Sequence, residues 1–499
     1  MYIMRDMKKN LILNTTMSLL LQITTVICGF ILPRLLLEYY GSEVNGLTQS
    51  IAQFLYIISF LELGVGQVIQ SSLYKPLSVG DLDHVSKILK SGSTYFRTIA
   101  LVIVGYIAVL GIFSPYVFGN TTDWFFTITL IVVMGINSFA QYYFGLIDKI
   151  LLNADQKGYI QFALQIVSNI VNIVVVSYLI IQGNSIQTVK FVSAIVFLFA
   201  PIIIRFYIDK KYNINRKIKY NEEPIQQKWN GVAQHIATVV LEGTDIIILT
   251  LVSTLSNVSI YSVYYMVVSG VRQLYTSATA GIQSMVGALW AKNEKQFESI
   301  FHSIEMLLHF VVIFLFSCVA ILIVPFVEVY TFGINDCNYI QPIFALILTV
   351  AFAIRCLRTP YNILILAGGH YKQTQTCHII SAILNVVVSL VAVFLWGLIG
   401  IAVGTLIAYA YQTIWMMAYN SKNLLHWPIR RVIKQLIVDV VTVFLIYLAT
   451  AWIKMSAISY LSWFNMAILV ASIGFLITVI MAAVCYFPQL KTIYRTIKG

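Results

Sequence analysis

Charge is what this sequence has least of. Only 10% of its residues are Asp, Glu, Lys or Arg, against 59% hydrophobic, and the mean hydropathy is +0.84. A soluble domain is about 25% charged. A chain this apolar cannot wrap its core in a solvated surface, which excludes a cytosolic enzyme, a secreted module and a disordered segment. Cysteine is sparse too. Cys28, Cys318, Cys337, Cys356, Cys377 and Cys485 show neither metal-ligand spacing nor a disulfide framework. Five lie in or beside apolar runs and read as small buried hydrophobes. Gly368-Gly369 is too isolated for a phosphate loop and reads as a plain turn. No catalytic, cofactor or metal-binding constellation stands out, so the expectation is a non-enzyme with no cofactor. Period-2 alternation is also missing from the apolar runs, which excludes a transmembrane barrel.

Long apolar runs are present in quantity. Crossing the hydrocarbon takes about 20 residues of helix, and fourteen stretches qualify. They lie near 11–33, 46–73, 95–117, 123–147, 159–181, 187–208, 231–253, 258–289, 303–325, 340–366, 375–395, 397–418, 434–453 and 462–486. The first follows Arg5, Lys8 and Lys9 as a signal peptide would, but it is longer than a signal core. Phe30-Ile-Leu-Pro-Arg34 is no small-residue cleavage site. It is expected to be a retained helix. Alternate loops and the two ends hold 25 Lys and Arg, whereas the intervening loops hold only Arg34, Lys190 and Lys454. Positive loops face the cytoplasm, so both termini are expected there. The net charge of +12 is then an orientation signal and gives no reason to expect nucleic acid as a partner. The loops assigned to the exported side are too short to fold as a domain.

The chain also repeats itself. Ile166-Val-Ser-Asn-Ile-Val-Asn-Ile-Val-Val-Val176 aligns with Ile379-Ile-Ser-Ala-Ile-Leu-Asn-Val-Val-Val-Ser389, matching Ser168 to Ser381 and Asn172 to Asn385 at an offset of 213. Ile150-Leu-Leu-Asn-Ala154 faces Ile363-Leu-Ile-Leu-Ala367 at the same offset. The expected fold is an all-α polytopic membrane protein of about fourteen spans. Two parallel six-helix lobes, 1–208 and 231–418, are joined by a basic cytoplasmic linker, 209–230. Residues 419–499 add spans 13 and 14 and a cytoplasmic tail. Transporters use paired repeats of this kind, with the substrate path near the midplane.

Ionisable side chains inside a bilayer are costly and usually face an interior or a wet cavity. At mid-depth stand Glu62, Glu242, Asp245, Arg272, Arg355 and Arg358. Asp439, Glu305 and Arg97 sit near cytoplasmic ends, where interfacial snorkelling is the expectation. Polar stripes at spacings of three and four mark one helix face each. They comprise Asn14, Ser18, Gln22, Thr25 and Gly29; Asn137, Gln141 and Gly145; Gln234, Thr238, Glu242 and Asp245; and Ser269, Arg272, Thr276 and Gln283. Such faces line a shared aqueous space or glue helices together. Arg355 and Arg358 share a face just ahead of Pro360, a proline expected to kink the helix. Their forked donors suit phosphate, although internal ion pairs with the three acids are the competing reading. Glu62 in Glu62-Leu-Gly-Val-Gly66 could bind a cation or shuttle a proton.

Pro33-Arg34, Gly41 with Asn45-Gly46, Glu62-Leu-Gly-Val-Gly66, Leu73-Tyr-Lys-Pro-Leu77, Asn153-Ala-Asp-Gln-Lys-Gly-Tyr159 and Asp245-Ile-Ile-Ile-Leu249 together resemble the polysaccharide transporter family. That family belongs to the multidrug/oligosaccharidyl-lipid/polysaccharide exporter superfamily. The resemblance runs over the whole chain and implies a Wzx-type flippase of the bacterial cytoplasmic membrane. Its cargo would be an undecaprenyl-pyrophosphate-linked oligosaccharide, moved to the outer leaflet by alternating access. Membrane lipid, a polymerase and other polysaccharide assembly proteins would be its partners. Arg272, Arg355 and Arg358, with Gln22 and Gln283, fit the diphosphate and sugar by position and chemistry; Glu62, Glu242 and Asp245 fit ion coupling. The mid-depth acids make the cavity less uniformly basic than the simplest picture of such a flippase. Span 2 has no Lys or Arg, unlike the early spans of lipid II flippases, so lipid II ranks lower as cargo. A cation-coupled drug or metabolite antiporter is a further alternative. A membrane polymerase or glycosyltransferase, from another class, would ordinarily carry a sizeable catalytic segment outside the bilayer.

Overall fold

The computed structural model describes residues 2–62, 64–119, 123–220, 232–291, 297–425 and 427–498, without the side chains of residues 2–8, 11, 232–234, 280, 284, 291, 429 and 490–498. Much of the expected linker (221–230) and the Gln234 side chain thus lie outside the described residues. Among the described residues there are seventeen α-helices and no strand. Twelve helical stretches are long and apolar enough to cross a membrane. One of them, Ile12–Glu62, has 51 residues, about 76 Å at 1.5 Å per residue, which is ample for two crossings. A further helix, Leu255–Ala291, spans 37 residues around Arg272. The fourteen expected spans are accommodated in a multi-pass, all-helical membrane protein.

The chain divides into two compact units, Met1–Ser259 and Ile260–Gly499. Unit 1 contains α1 (Tyr2–Ile57), α2 (Val65–Val79), α3 (Leu82–Ile112), α4 (Ser114–Phe118), α5 (Trp124–Ala140), α6 (Leu146–Ala154), α7 (Gly158–Ile181), α8 (Ile186–Tyr212) and α9 (Val232–Val252). The boundary falls inside α10 (Leu255–Ala291), and unit 2 continues with α11 (Phe297–Tyr330), α12 (Pro342–Leu357), α13 (Thr359–Ala367), α14 (Tyr371–Trp396), α15 (Leu398–Asn423), α16 (Ile429–Thr450) and α17 (Tyr460–Lys498). Local chemistry explains several starts. Asp81 accepts from the His84 amide at 2.9 Å to cap α3, and Ser185 accepts from the Thr188 amide at 3.3 Å to cap α8.

The loop expected between the first two spans is reduced to a single residue of non-helical backbone, Gly41 at φ 81° within α1. Helix α9 packs on α1 in unit 1, so the contact boundary lies one helix beyond the boundary suggested by the repeat. Polar side chains hold this pairing. Ser50 and Thr250 of α9 share a hydrogen bond of 2.7 Å, and at the start of α10, still within unit 1, Asn45 Nδ2 donates to Ser259 Oγ at 2.7 Å. Gly46 lies directly under the Leu255 carbonyl, where any Cβ would overlap it.

The repeat has a counterpart in the helix boundaries. Helices α6 and α13 begin at Leu146 and Thr359 and end at Ala154 and Ala367, each pair offset by 213 residues. Each follows an interruption: π-helical turns over Gln141–Gly145 in one unit, a break at Arg358 in the other. The polar residues shared by the repeats, Ser168, Asn172, Ser381 and Asn385, are all buried.

Candidate functional site

Proline at residue 360 removes the N–H that would bond to the Cys356 carbonyl. The helix stops at Leu357 and restarts at Thr359. The orphaned Cys356 carbonyl instead accepts from Tyr275 Oη of α10 at 3.3 Å. Thr413 Oγ1 of α15 donates to the neighbouring Ile354 carbonyl at 3.1 Å. The expected kink is therefore a break braced from two sides.

This break gathers the three arginines singled out in the sequence. Arg272 lies one turn before Tyr275 on α10, whose hydroxyl bonds the Cys356 carbonyl, and Arg355 and Arg358 flank Cys356 at the end of α12. Arg355 Nη1 donates to Tyr409 Oη at 2.7 Å, with its guanidinium 5.2 Å from that ring's centre. The buried Nε of Arg272 has no hydrogen-bond partner among the described residues. His378 on α14 has its Nδ1 2.9 Å from Gln412 Nε2 of α15. Like charges brought close together in a low-dielectric interior repel one another. Gathering three suits an anion. Gln283 is not part of the cluster. It is exposed on α10, about 16 Å along the axis from Arg272.

The remaining candidates belong to unit 1. Gln22 is half-buried on α1. Glu62 ends a 3₁₀ segment, Ile58–Glu62, and precedes Gly64, whose φ of 73° favours glycine. Its Oε1 accepts from Tyr142 Oη at 2.6 Å, and Tyr142 belongs to the π-helical turns. From α9, His235 Nε2 reaches this break, 3.3 Å from the Ser59 carbonyl oxygen. Glu242 is half-buried and Asp245 buried on the same helix.

Two further polar assemblies in unit 1 show where the stripes go. Asn14 Nδ2 donates to the Gln156 carbonyl at 2.8 Å, and its Oδ1 accepts from the Tyr159 amide at 2.6 Å. That end of the first stripe binds α1 to the α6–α7 turn. The same turn is fastened to α8 through Tyr212, which donates to Asp155, beside the Lys157–Asp155 ion pair. Thr25, Asn137 and Gln141, by contrast, line a cavity of about 250 Å³ with Gln161, Gln165 and Lys149. Carboxamides and hydroxyls in that number suit a sugar or another polar headgroup. Just beyond α8, Arg216 donates to Asp148 at 3.0 Å and Asp209 at 2.6 Å. Burial works against its charge, but the two carboxylates outweigh that and raise its pKa above the usual arginine value.

Sequence reasoning missed Tyr142, Tyr275 and Tyr409, because aromatic residues in apolar spans carry no local mark of their partners. It also misread Glu305 and Asp439. Neither snorkels: both are buried and hydrogen-bonded in unit 2.

The chain covers 96% of its length and 100% of the other in aligning to "Lipid II flippase MurJ, inward closed conformation", with a TM-score of 0.72 at 15% identity. The fold is of the MOP transporter type. An inward-facing multidrug resistance MATE family transporter of the MOP superfamily aligns over 80% of this chain and 94% of its own, with a TM-score of 0.64 at 11% identity. The Vibrio cholerae MATE transporter VcmN, in a bent form, aligns over 84% and 97%, with a TM-score of 0.56 at 10% identity. No family model matches the sequence, and no curated protein does. These neighbours are transporters and flippases, not enzymes.

Proposed function

We propose that this protein is a flippase of the bacterial cytoplasmic membrane, with both termini cytoplasmic. Its cargo is an undecaprenyl-pyrophosphate-linked oligosaccharide, moved from the inner to the outer leaflet by alternating access for capsule, O-antigen or exopolysaccharide synthesis. The observation that carries this reading is the meeting of Arg272, Arg355 and Arg358 at a helix break, with Arg272 Nε unpartnered. A diphosphate offers the negative charge and the paired acceptor oxygens that guanidinium forks recognise. Gln22 and Gln283 contact the sugar, and Glu62, Glu242 and Asp245 couple transport to a cation. A polar head cannot cross hydrocarbon alone, whereas its lipid tail can stay in the bilayer throughout.

Alanine at each arginine should lower surface polysaccharide in a producing cell while the amount of membrane-inserted protein stays constant. Undiminished polymer from an inserted triple variant would defeat the assignment. A second reading, lipid II as cargo, is favoured by the structural likeness to MurJ. Vesicles containing the full chain and either lipid II or an undecaprenyl-pyrophosphate oligosaccharide separate the two by which lipid reaches the outer leaflet. Neutral Glu62→Gln, Glu242→Gln and Asp245→Asn variants test the coupling role by their dependence on pH and sodium.

A further inference from the structure

Unit 2 buries a chain of titratable side chains that the arginine site does not use. His302, Glu305 and His309 share one face of α11, Tyr361 stands on α13, and Asp439 and Gln435 stand on α16; all six are buried. They connect end to end. His302 Nδ1 is 3.2 Å from Glu305 Oε2, and Tyr361 Oη donates to Glu305 Oε1 at 2.5 Å. Tyr361 Oη is 3.3 Å from His309 Nε2, and His309 Nδ1 is 2.7 Å from Asp439 Oδ2. Gln435 Nε2 donates to Asp439 Oδ1 at 3.0 Å. Around them stand Tyr486 and Cys485 of α17, Arg431 and Lys434 of α16, and Glu298 at the start of α11, which accepts from Trp427 Nε1.

Counting hydrogens shows what this chain does. A phenol has one hydrogen to give, and the short contact commits it to Glu305. The Tyr361 oxygen can then only accept from His309, so Nε2 must carry a proton. The contact between Nδ1 and Asp439 needs another. A neutral imidazole has only one N–H. With Glu305 ionised and accepting, the fully bonded chain therefore holds one extra proton, shared by His309 and Asp439. When that proton leaves, Nε2 becomes an acceptor, the Tyr361 hydroxyl turns toward it, and Glu305 loses its donor from α13.

Tyr361 is three residues past Arg358, on the short helix that restarts after the break. We propose that His309, Asp439, Tyr361 and Glu305 form a proton-binding site whose occupancy sets how firmly α13 is tied to α11, next to the arginines. Ionisable groups buried at membrane depth mark proton relays in pumps and transporters. The repeat sharpens the contrast. The position matching Tyr361 in unit 1 is Asp148, which is held in an ion pair by Arg216. Only the unit 2 copy is wired to histidine. Proton binding here does not depend on which lipid is carried, so it can fail or stand separately from the cargo assignment.

The test uses the full chain in lipid nanodiscs with ¹⁵N-labelled histidine and no substrate. The His309 signals are assigned by their loss in His309→Gln. Over about pH 5 to 9, where imidazoles titrate, His309 should pass from two protonated nitrogens to one. Its inflection should fall by about one pH unit or more in Asp439→Asn, as expected when a facing carboxylate is removed. A single protonation state across the range, or an inflection unmoved by Asp439→Asn, would overturn the site. Hydrogen exchange of the Arg358–Ala367 amides, corrected for intrinsic pH dependence, reads the coupling. Protection should fall as the proton leaves in the wild type and be insensitive to pH in Tyr361→Phe, which keeps the ring. The same pH response in both proteins would overturn the coupling. If Asp439→Asn does not insert, the exchange measurement decides alone, with Glu305→Gln beside Tyr361→Phe; both should abolish the pH response, and a wild-type response in either would overturn the proposal.

Discussion

Tyr142 donates to Glu62 across 2.6 Å, and the pair joins the two places in unit 1 where the helical hydrogen-bond pattern changes. Glu62 closes the 3₁₀ segment that splits α1 from α2, and Tyr142 lies in the π-helical turns between α5 and α6. Both irregularities free backbone groups at a cost, and π-bulges concentrate at functional sites. Tyr142→Phe leaves the carboxylate without this donor and should destabilise the protein by about 1–3 kcal/mol. Thermal unfolding in detergent measures the loss. Adding Glu62→Gln should recover part of it, since a neutral amide costs less to bury.

Pro360→Ala should change function more than stability. The new N–H can bond to the Cys356 carbonyl, which now accepts from Tyr275. In the wild type, Tyr275→Phe should cost about 1 kcal/mol; in the Pro360→Ala background it should cost nearly nothing. Additive losses in the double variant would show that the break is not braced in this way. Transport should fall in Pro360→Ala, because a continuous helix re-aims Arg358 relative to Arg355.

Gly46→Ala should be among the most damaging single changes in unit 1. Its Cβ would overlap the Leu255 carbonyl, and backbone cannot step aside as a side-chain end can. Overpacking costs about 1–3 kcal/mol and more where the neighbour is rigid. Gly29→Ala is the control, since open space surrounds that position. The yield of folded protein after membrane extraction should separate the two.

Arg216→Ala strands Asp148, a fully buried carboxylate. Removing one partner of a buried pair costs about 3–5 kcal/mol; here the arginine is partly exposed, so about 2–3 kcal/mol is expected. Asp148→Asn in the same chain should restore much of it. Because the arginine's pKa is raised in the folded state, its contribution is complete below the unfolded arginine value and is lost only as pH rises through a higher one. Unfolding of wild type, Arg216→Ala and the double variant measures the loss and its recovery.

What could be read in the sequence shares one property: it depends on residues near one another in the chain. Apolar runs long enough to cross a bilayer are a matter of local composition, so the all-helical, multi-pass architecture was legible. Pro360 acts on a carbonyl four residues away, so the break beside Arg358 was legible too. The repeat offset read from Ile150–Ala154 and Ile363–Ala367 is the offset of α6 and α13 themselves. The partners of buried polar groups were decided only by tertiary packing. A carboxylate at the end of a span looks the same in sequence whether it snorkels or is buried. Glu305 and Asp439 are buried because α11, α13 and α16 bring His302, Tyr361, His309 and Gln435 to them from up to 130 residues away. The same holds for α9, which meets α1 through Ser50 and Thr250, and for the start of α10, which meets α1 at Asn45 and over Gly46. In a bilayer a polar group pays heavily for lacking a partner, and which partner it finds is settled by helices meeting in space.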